Sequence, residues 1–319
     1  MRTYVLFLSI AVLPAWPQET KESTRSVYTY DASGRRSAAY DQASVTGAGG
    51  SSQSQTVTDI HGRKVQLESS EETVLSDGPE GRVVERLVKK FDPQGRLAGQ
   101  EKVRIEEAKE ADGVSGTVRA TVYDRDLNGH FALRERTTTT TNKDAEALRA
   151  ETLVERPNVN GELDTQERKV SVTTGSEAAT LQDITVYRKD QHGAMAPAVR
   201  EVTQTTKEGD REVANTSQYN AASTGRMELA GQKLSQTVKN PDGSESQVVD
   251  VFGTHAPGQV SSGYNKEPKL RERQLIERTP GPDKGLVETF SVQRPALESG
   301  RLGPAQKISE TVCQGNCRP

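Results

Sequence analysis

The chain has 319 residues, of which 32% are hydrophobic and 4% aromatic, so it lacks the apolar residues from which a compact domain of this length builds its core. Its 42 basic and 45 acidic residues give a formal net charge of -3, which excludes a strongly basic nucleic-acid-binding surface and an acidic disordered tail. These proportions predict a thin structure, such as a layer, ribbon or solenoid, in which most side chains contact water.

The N-terminus has the features of a secretory signal peptide. A positive start at Arg2 precedes an apolar run over residues 4–13, which is about half the length that a membrane-spanning helix needs. We expect a signal peptide over 1–15 and a linker over 16–26; a short buried strand is the alternative interpretation of the apolar run. The mature chain is therefore expected to be secreted or periplasmic, with no transmembrane span.

Residues 27–312 are predicted to form a repeat domain with a period of about 33 residues. Turn-like glycines recur at this interval, and an aromatic residue precedes most of them by four or six positions. Between the turns, stretches rich in Val and Thr alternate with period two, as in residues 118–123 and 183–187, which is typical of β-strands. A second turn divides each unit, so each unit is predicted to be one antiparallel β-hairpin. The recurring glycines are Gly34, Gly62, Gly95, Gly129, Gly161, Gly193, Gly225, Gly258, Gly285 and Gly315.

These hairpins, about nine in number, predict an all-β fold. We expect an extended antiparallel sheet that is coiled or folded over into a ribbon or a partly closed barrel, because open sheets of so many strands curl or split. Disorder is an alternative, but it does not explain the regular turns. An outer-membrane barrel fits the number and length of the strands. Strands such as residues 82–91 carry charges on both alternating faces, however, and aromatic residues are too few for the girdles of such a barrel.

The turns carry a family resemblance. Residues 28–35 (Tyr-Thr-Tyr-Asp-Ala-Ser-Gly-Arg) and residues 91–97 (Phe-Asp-Pro-Gln-Gly-Arg-Leu) resemble the YD (Rhs-type) repeat, in which a Tyr-Asp pair leads through a two-residue spacer to Gly-Arg. Residues 59–63 keep only the turn. Families of this type build long spiralling β-sheets, so the resemblance implies an exported β-scaffold. The period here is longer than in those repeats, and their toxin-like C-terminal domain is missing.

One turn matches the pattern of a calcium-binding loop. Asp124, Asp126, Asn128, Gly129 and Glu135 fit D-x-[DN]-x-[DN]-G-x5-E, a spacing that lets side-chain oxygens converge on Ca²⁺. The flanking segments are predicted strands rather than the helices of an EF-hand. Asp, Asn and Gly are also the residues that a tight turn requires. A calcium site and an ordinary turn are both open interpretations; apart from calcium in the first of them, no cofactor is expected.

The histidines and cysteines allow further interpretations. All four histidines lie within three residues of a repeat glycine, where polar turn residues or a shared metal site would explain them. Cys313 and Cys317 in the C-terminal tail, residues 313–319, are expected to form a disulfide, because the predicted compartment is oxidising. The histidines are His61, His130, His192 and His255.

The sequence predicts no enzymatic activity, because it contains no nucleophile elbow, zinc-protease motif or phosphate-binding loop. The predicted function is that of an exported β-repeat scaffold or interaction protein of the cell envelope or extracellular space. Its expected partner is an unidentified protein or polysaccharide of the envelope, and not nucleic acid. The alternative is a glycan- or calcium-binding module that uses the repeat turns.

Overall fold

In a computed structural model of the chain, the strands form one antiparallel sheet of 18 strands. The structure describes residues 21–315 except 48, 60, 111, 127, 223, 255–267, 282–284 and 297–299. Each strand pairs with the next one along the chain, and the last pairs with the first. The strands are β1 (Lys21–Tyr30), β2 (Arg36–Gly47), β3 (Gly50–Thr58), β4 (Lys64–Gly78), β5 (Gly81–Phe91), β6 (Leu97–Lys109), β7 (Gly116–Arg125), β8 (Phe131–Lys143), β9 (Ala147–Pro157), β10 (Leu163–Gly175), β11 (Ala179–Lys189), β12 (Met195–Glu208), β13 (Arg211–Ala221), β14 (Met227–Lys239), β15 (Glu245–Gly253), β16 (Lys269–Pro280), β17 (Leu286–Gln293) and β18 (Gln306–Gly315).

The sheet is fully closed, so the prediction of a ribbon or a partly closed barrel was wrong, whereas the all-β antiparallel fold is confirmed. The seam between β1 and β18 runs from the pair Ser23 and Gly315 to the pair Thr29 and Ser309. Closure leaves neither end of the sheet with an unpaired edge. A line drawn from each residue to its partner on the next strand returns to the starting strand about 22 residues away from where it began. This stagger gives a strand tilt of ~40° and a backbone diameter on the order of 35 Å.

Five-residue turns connect many of the strands at one end of the barrel, which we call the Gly-turn rim. In the turn over residues 31–35, the Asp31 carboxylate accepts the backbone N–H groups of Ser33 and Arg35. Gly34 has φ of 77°, a left-handed conformation that glycine adopts without strain. The chain therefore turns where the sequence predicted. The glycines that close such turns at this rim are Gly34, Gly62, Gly95, Gly129, Gly161, Gly193 and Gly225.

The register divides the strand residues into two sets, one for each face of the sheet, because directly paired residues lie on the same face. The first set contains Val84, Ala120 and Val292, which are 4%, 9% and 7% exposed. The second set contains Leu181 and Leu234, which are 46% and 42% exposed. Side chains converge on the concave face of a barrel and diverge on the convex one. The first set therefore lines the lumen, and the second forms the outer face.

The tighter turns at the opposite rim provide a test of the fold. A Cβ at Gly175, where φ is +111°, would lie 2.2 Å from the Ala179 carbonyl oxygen, whereas a Cβ at Gly193, where φ is +80°, meets no atom within 4 Å. We expect Gly175→Ala to lower the free energy of unfolding by about 2–4 kcal/mol and Gly193→Ala by ~1 kcal/mol, because both add backbone strain but only the first adds a backbone clash. Urea denaturation measures both, and equal effects would contradict the described turn.

Candidate functional site

The barrel is hollow and open to solvent on both faces. The buried side chains among the described residues are Val84, Val88, Ala120, Ala147, Val292, Cys313 and Ser115, so most side chains on both faces of the sheet are at least partly exposed. This exposure is expected if water reaches the lumen as well as the outer face. Barrels with 16–18 strands are wide enough to enclose an aqueous channel. The lumen is therefore the candidate functional site.

The part of the chain that the structure describes contains no helix that is long and apolar enough to cross a membrane.

The lumen is lined mainly by polar side chains. Threonines on neighbouring strands contact each other along its wall, with Oγ1–Oγ1 distances of 2.9 Å for Thr139 and Thr152 and 2.9 Å for Thr203 and Thr216. Apolar residues interrupt this polar surface around Val84 on β5–β7 and around Val249, Ile276 and Val292 on β15–β17. Because hydroxyl, amide and charged groups predominate elsewhere, most of the lumen wall can hydrogen-bond to water. Lumen-facing glutamines are Gln42, Gln53, Gln55, Gln182, Gln218, Gln247 and Gln274.

Charged residues of both signs also face the lumen, and many form ion pairs between strands. The pairs with their N–O distances are Arg86–Glu72 (2.6 Å), Arg134–Glu101 (2.8 Å), Arg134–Asp124 (3.0 Å), Arg156–Glu135 (2.8 Å), Arg188–Glu167 (2.9 Å) and Arg278–Glu288 (2.7 Å). Their charges largely compensate one another. The described lumen wall is therefore polar without a strong excess of either sign.

The residues of the predicted calcium loop are separated between the lumen and a turn. Asp124 and Glu135 face the lumen in the ion pairs just given. Asp126 lies in the turn, where its Oδ1 accepts the N–H groups of Asn128 at 2.9 Å and His130 at 2.8 Å. Within the described ranges, no group of three or more His, Cys, Asp or Glu side chains is arranged to hold a metal ion. The loop thus has the geometry of a turn, and the calcium site stays a prediction.

The predicted disulfide involves residues at the edge of the described chain. Cys313 is 6% exposed on β18 and is disulfide-bonded. Cys317 lies outside the described residues, so its pairing with Cys313 stays a prediction. Three of the histidines, His61, His130 and His192, lie in turns of the Gly-turn rim, and His255 lies outside the described residues, as does the predicted signal peptide.

Turn aspartates provide a pH-dependent contribution to stability. Hydrogen bonds from the Ser33 hydroxyl and the Arg35 N–H lower the pKa of Asp31, and those from Arg63 lower the pKa of Asp59, from the usual value of 3.8. An aspartate whose pKa is lowered by folding stabilises the folded protein at pH values above its unfolded-state pKa. This stabilisation is lost as the pH falls through the pKa of the folded state. We expect stability to fall below about pH 4 and the variant Asp31→Asn/Asp59→Asn to lose part of that dependence. Melting temperatures between pH 2 and 5 measure the dependence, and parallel curves would contradict it.

Most described aromatic side chains form a collar on the outer face beside the Gly-turn rim. In six hairpins a β-bulge shifts the strand register directly beside an aromatic residue of this collar. Tyr123 pairs with Leu133 and Tyr219 with Leu229. The described aromatics outside the collar, Tyr40 and Phe290, face the lumen. The rim collar comprises Tyr28, Tyr30, Phe91, Leu97, Tyr123, Phe131, Leu133, Pro157, Leu163, Tyr187, Met195, Pro197, Tyr219, Met227, Leu229, Phe252 and Leu270.

Nearer the middle of the strands, ion pairs between neighbouring strands surround the outer face. They interrupt the apolar residues there, so the outer face lacks the continuous apolar band, about 25 Å tall, of lipid-embedded barrels. We call these pairs the outer belt. They are Lys102–Glu85 (2.8 Å), Arg119–Glu106 (3.6 Å), Arg136–Glu155 (2.8 Å), Arg168–Glu151 (2.5 Å), Arg200–Asp183 (2.5 Å) and Arg273–Asp250 (2.6 Å).

Solved structures of bacterial porins are similar to this fold. OmpF of Salmonella typhi, solved in complex with daunomycin, superposes with a TM-score of 0.51 at 9% sequence identity, over 93% of this chain and 96% of that chain. OccAB4 of Acinetobacter baumannii gives a TM-score of 0.47 at 10% identity, over 93% and 97% of the two chains. A BenF-like porin of Pseudomonas fluorescens Pf-5 gives 0.45 at 8% identity, over 93% and 97%. No protein-family model and no curated protein matches the sequence.

The likeness to OmpF concerns the fold, and it corrects the function that the sequence predicted. An exported β-repeat scaffold, and equally a glycan- or calcium-binding module of that kind, was inferred from an open sheet of hairpins. The chain instead forms a closed barrel of the porin type. The secreted or periplasmic location and the absence of a transmembrane span were predicted from the signal peptide and the short apolar run. The closed porin-type barrel contradicts both, and with them the envelope partner expected of an open scaffold. The resemblance of the turns to YD repeats stays a prediction.

Proposed function

We propose that the protein is a porin-like, non-enzymatic channel of the outer membrane, through which water and small polar solutes diffuse. The closed, wide and polar lumen is the observation that carries this proposal. The predicted signal peptide agrees with it, because an outer-membrane protein must first be exported. The fold shared with OmpF supports the architecture and not a particular solute.

The lumen wall favours selection by size over selection by charge. Lumen-facing arginines and carboxylates largely compensate each other, as in Arg156–Glu135 and Arg188–Glu167. A solute that crosses the lumen therefore meets hydrogen-bonding groups and a weak net field. We expect small sugars and both ions of a simple salt to permeate.

The outer belt determines how such a barrel can enter a bilayer. An unpaired Arg or Lys on the lipid face costs about 2–4 kcal/mol at the bilayer midplane, and closing an ion pair offsets part of the desolvation penalty. Each described belt residue has an oppositely charged partner on the same face. The proposed channel therefore requires these pairs to stay closed in the membrane.

Reconstitution of the mature chain into liposomes and planar bilayers tests the proposal. We expect stepwise conductance in potassium chloride with weak ion selectivity, and liposome swelling that decreases as the permeating sugar becomes larger. The same protein, unfolded in urea and diluted without refolding, is the control for leakage caused by lipid disruption. Folded protein that is bound to liposomes but produces neither conductance nor swelling would overturn the channel.

A further inference from the structure

Four lumen-facing side chains form a row across the first four strands of the barrel. Arg25 on β1 pairs directly with Gln42 on β2. Gln42 pairs in turn with Gln55 on β3, and Gln55 with Glu68 on β4. Directly paired residues lie on the same face of the sheet, so the row presents a cation, two amides and a carboxylate to the lumen, in that order. We call these four residues the amide row.

The side chains of the amide row are not bound to neighbouring side chains. Several other lumen arginines are bound to carboxylates, as Arg156 is to Glu135 at 2.8 Å. Within the part of the chain that the structure describes, no hydrogen bond or ion pair involves the side chain of any residue of the amide row. Lys90 lies opposite Glu68 on the next strand, but its Nζ is bound to Glu101 at 3.5 Å. The row therefore offers two charges and two amides to a solute.

The order of these groups matches a short peptide whose termini are free. The Arg25 guanidinium can bind a carboxylate, and the Glu68 carboxylate can bind an ammonium group. A glutamine amide both donates and accepts hydrogen bonds, as the peptide groups of an extended chain require. A sugar acid would satisfy Arg25 and the amides, but it provides no cation for Glu68. A peptide is therefore the solute that fits all four groups.

The length of the amide row fits about four residues of an extended peptide. Neighbouring strands lie ~4.8 Å apart, so the three steps along the row span about 14 Å, and an extended chain advances ~3.4 Å per residue. The lumen residues on either side of the row differ. Ser23 and Ser44, whose Oγ atoms lie 2.7 Å apart, are on one side, and Val27 and Tyr40 are on the other. Small and apolar peptide side chains therefore fit this part of the wall.

We infer that the amide row binds short peptides with free termini, about four residues long, with the carboxylate at Arg25 and the ammonium group at Glu68. The inference rests on the proposed channel and deepens it, because it names one class of polar solute that the lumen holds. Such a peptide has no net charge when its side chains are neutral. It is therefore compatible with a lumen whose net field is weak.

Saturation-transfer NMR of the refolded mature chain in detergent tests the inference, with tetraalanine as the probe. We expect tetraalanine to bind more tightly than dialanine, which is too short to reach both ends of the row. Acetylating its N-terminus or amidating its C-terminus should each weaken binding roughly fivefold, because each removes one ion pair. Equal binding of the blocked and free peptides, or no binding of tetraalanine, would overturn the inference.

Variants of the two charged residues test the site itself. Arg25→Gln and Glu68→Gln should each weaken tetraalanine binding roughly fivefold, whereas Glu71→Gln, on the outer face of the same strand as Glu68, should leave it unchanged. The exchange Arg25→Glu/Glu68→Arg should recover binding, because the peptide can lie in the opposite direction. Circular dichroism checks that each variant keeps its β-structure. Folded single variants that bind like the unsubstituted protein, or an exchange variant that binds no better than they do, would contradict the inference.

The binding measurement needs no membrane, so it can fail independently of the proposed channel. Conductance in planar bilayers without tetraalanine binding would overturn the amide row alone. Tetraalanine binding by a barrel that produces no conductance would overturn the channel alone.

Discussion

Asp183→Asn is expected to lower the membrane-inserted fraction of the barrel far more than any comparable change in the lumen. Asp183 pairs with Arg200 on the outer face through two hydrogen bonds, of 3.0 Å and 2.5 Å. The substitution keeps the size of the side chain but leaves the guanidinium without its carboxylate. An unpaired arginine on the lipid face costs about 2–4 kcal/mol at the midplane, so we expect the insertion equilibrium to fall by roughly 30- to 1000-fold.

The matched control for this prediction is Glu135→Gln. Glu135 pairs with Arg156 in the lumen at 2.8 Å, where the freed guanidinium stays in water, so the change should cost less than about 1 kcal/mol. Flotation of each variant with phosphatidylcholine vesicles, followed by protease protection, measures the inserted fraction. If both variants insert as well as the unsubstituted protein, the outer belt lies in water, and a barrel embedded in lipid over its full height is excluded.

The turns and strands could be predicted from the sequence because their causes are local. An Asp–Gly spacing closes a turn through backbone N–H groups, as at Asp31 and Gly34, and alternating Val and Thr residues form the strands between turns. The stretch over residues 137–141 shows the limit of this reasoning. Its threonines alternate between lumen and outer face, and nothing in their sequence distinguishes the two.

Closure of the barrel could not be predicted, because it depends on contacts between the two ends of the chain. Val27 pairs with Thr311, and the stagger that brings them together accumulates over all the strands between. The rim collar had a signal, namely the aromatic residue before most of the turns. The face of the sheet that these rings join was not visible in the sequence, because it depends on how the strands of Tyr123, Tyr187 and Tyr219 pair around the barrel.

The charges on both faces are an observation on which sequence and structure agree. Residues 82–91 were predicted to be unsuited to an outer-membrane barrel because they carry charged side chains on both alternating faces of the strand. The structure divides these charges between the lumen, where Arg86 pairs with Glu72, and the outer belt, where Glu85 pairs with Lys102. Both faces of this strand are therefore as polar as the sequence indicated, and the structure adds that the charges are paired with charges on neighbouring strands. Whether lipid or water surrounds the outer belt is what the Asp183→Asn comparison decides.

Thr311→Pro is expected to abolish channel activity by opening the barrel at its seam. Thr311 lies in the middle of β18, where it pairs with Glu288 of β17 on one side and Val27 of β1 on the other. Proline removes a backbone N–H from this ladder and does not fit a strand with neighbours on both sides. The lost hydrogen bond and the unpaired carbonyl should destabilise the closed barrel by about 2–4 kcal/mol, concentrated where the two ends of the chain meet.

Thr311→Ala is the matched control, because it removes the same side chain but keeps the backbone N–H. We expect the alanine variant to retain conductance and hydrogen-exchange protection along β1 and β18. The proline variant should lose both, while strands on the far side of the barrel, such as β9 and β10, remain protected. Selective loss at the seam would link conduction to closure itself, since every lumen side chain except Thr311 is retained. Full conductance in the proline variant would mean that solutes do not require the closed barrel, and would contradict the proposed channel.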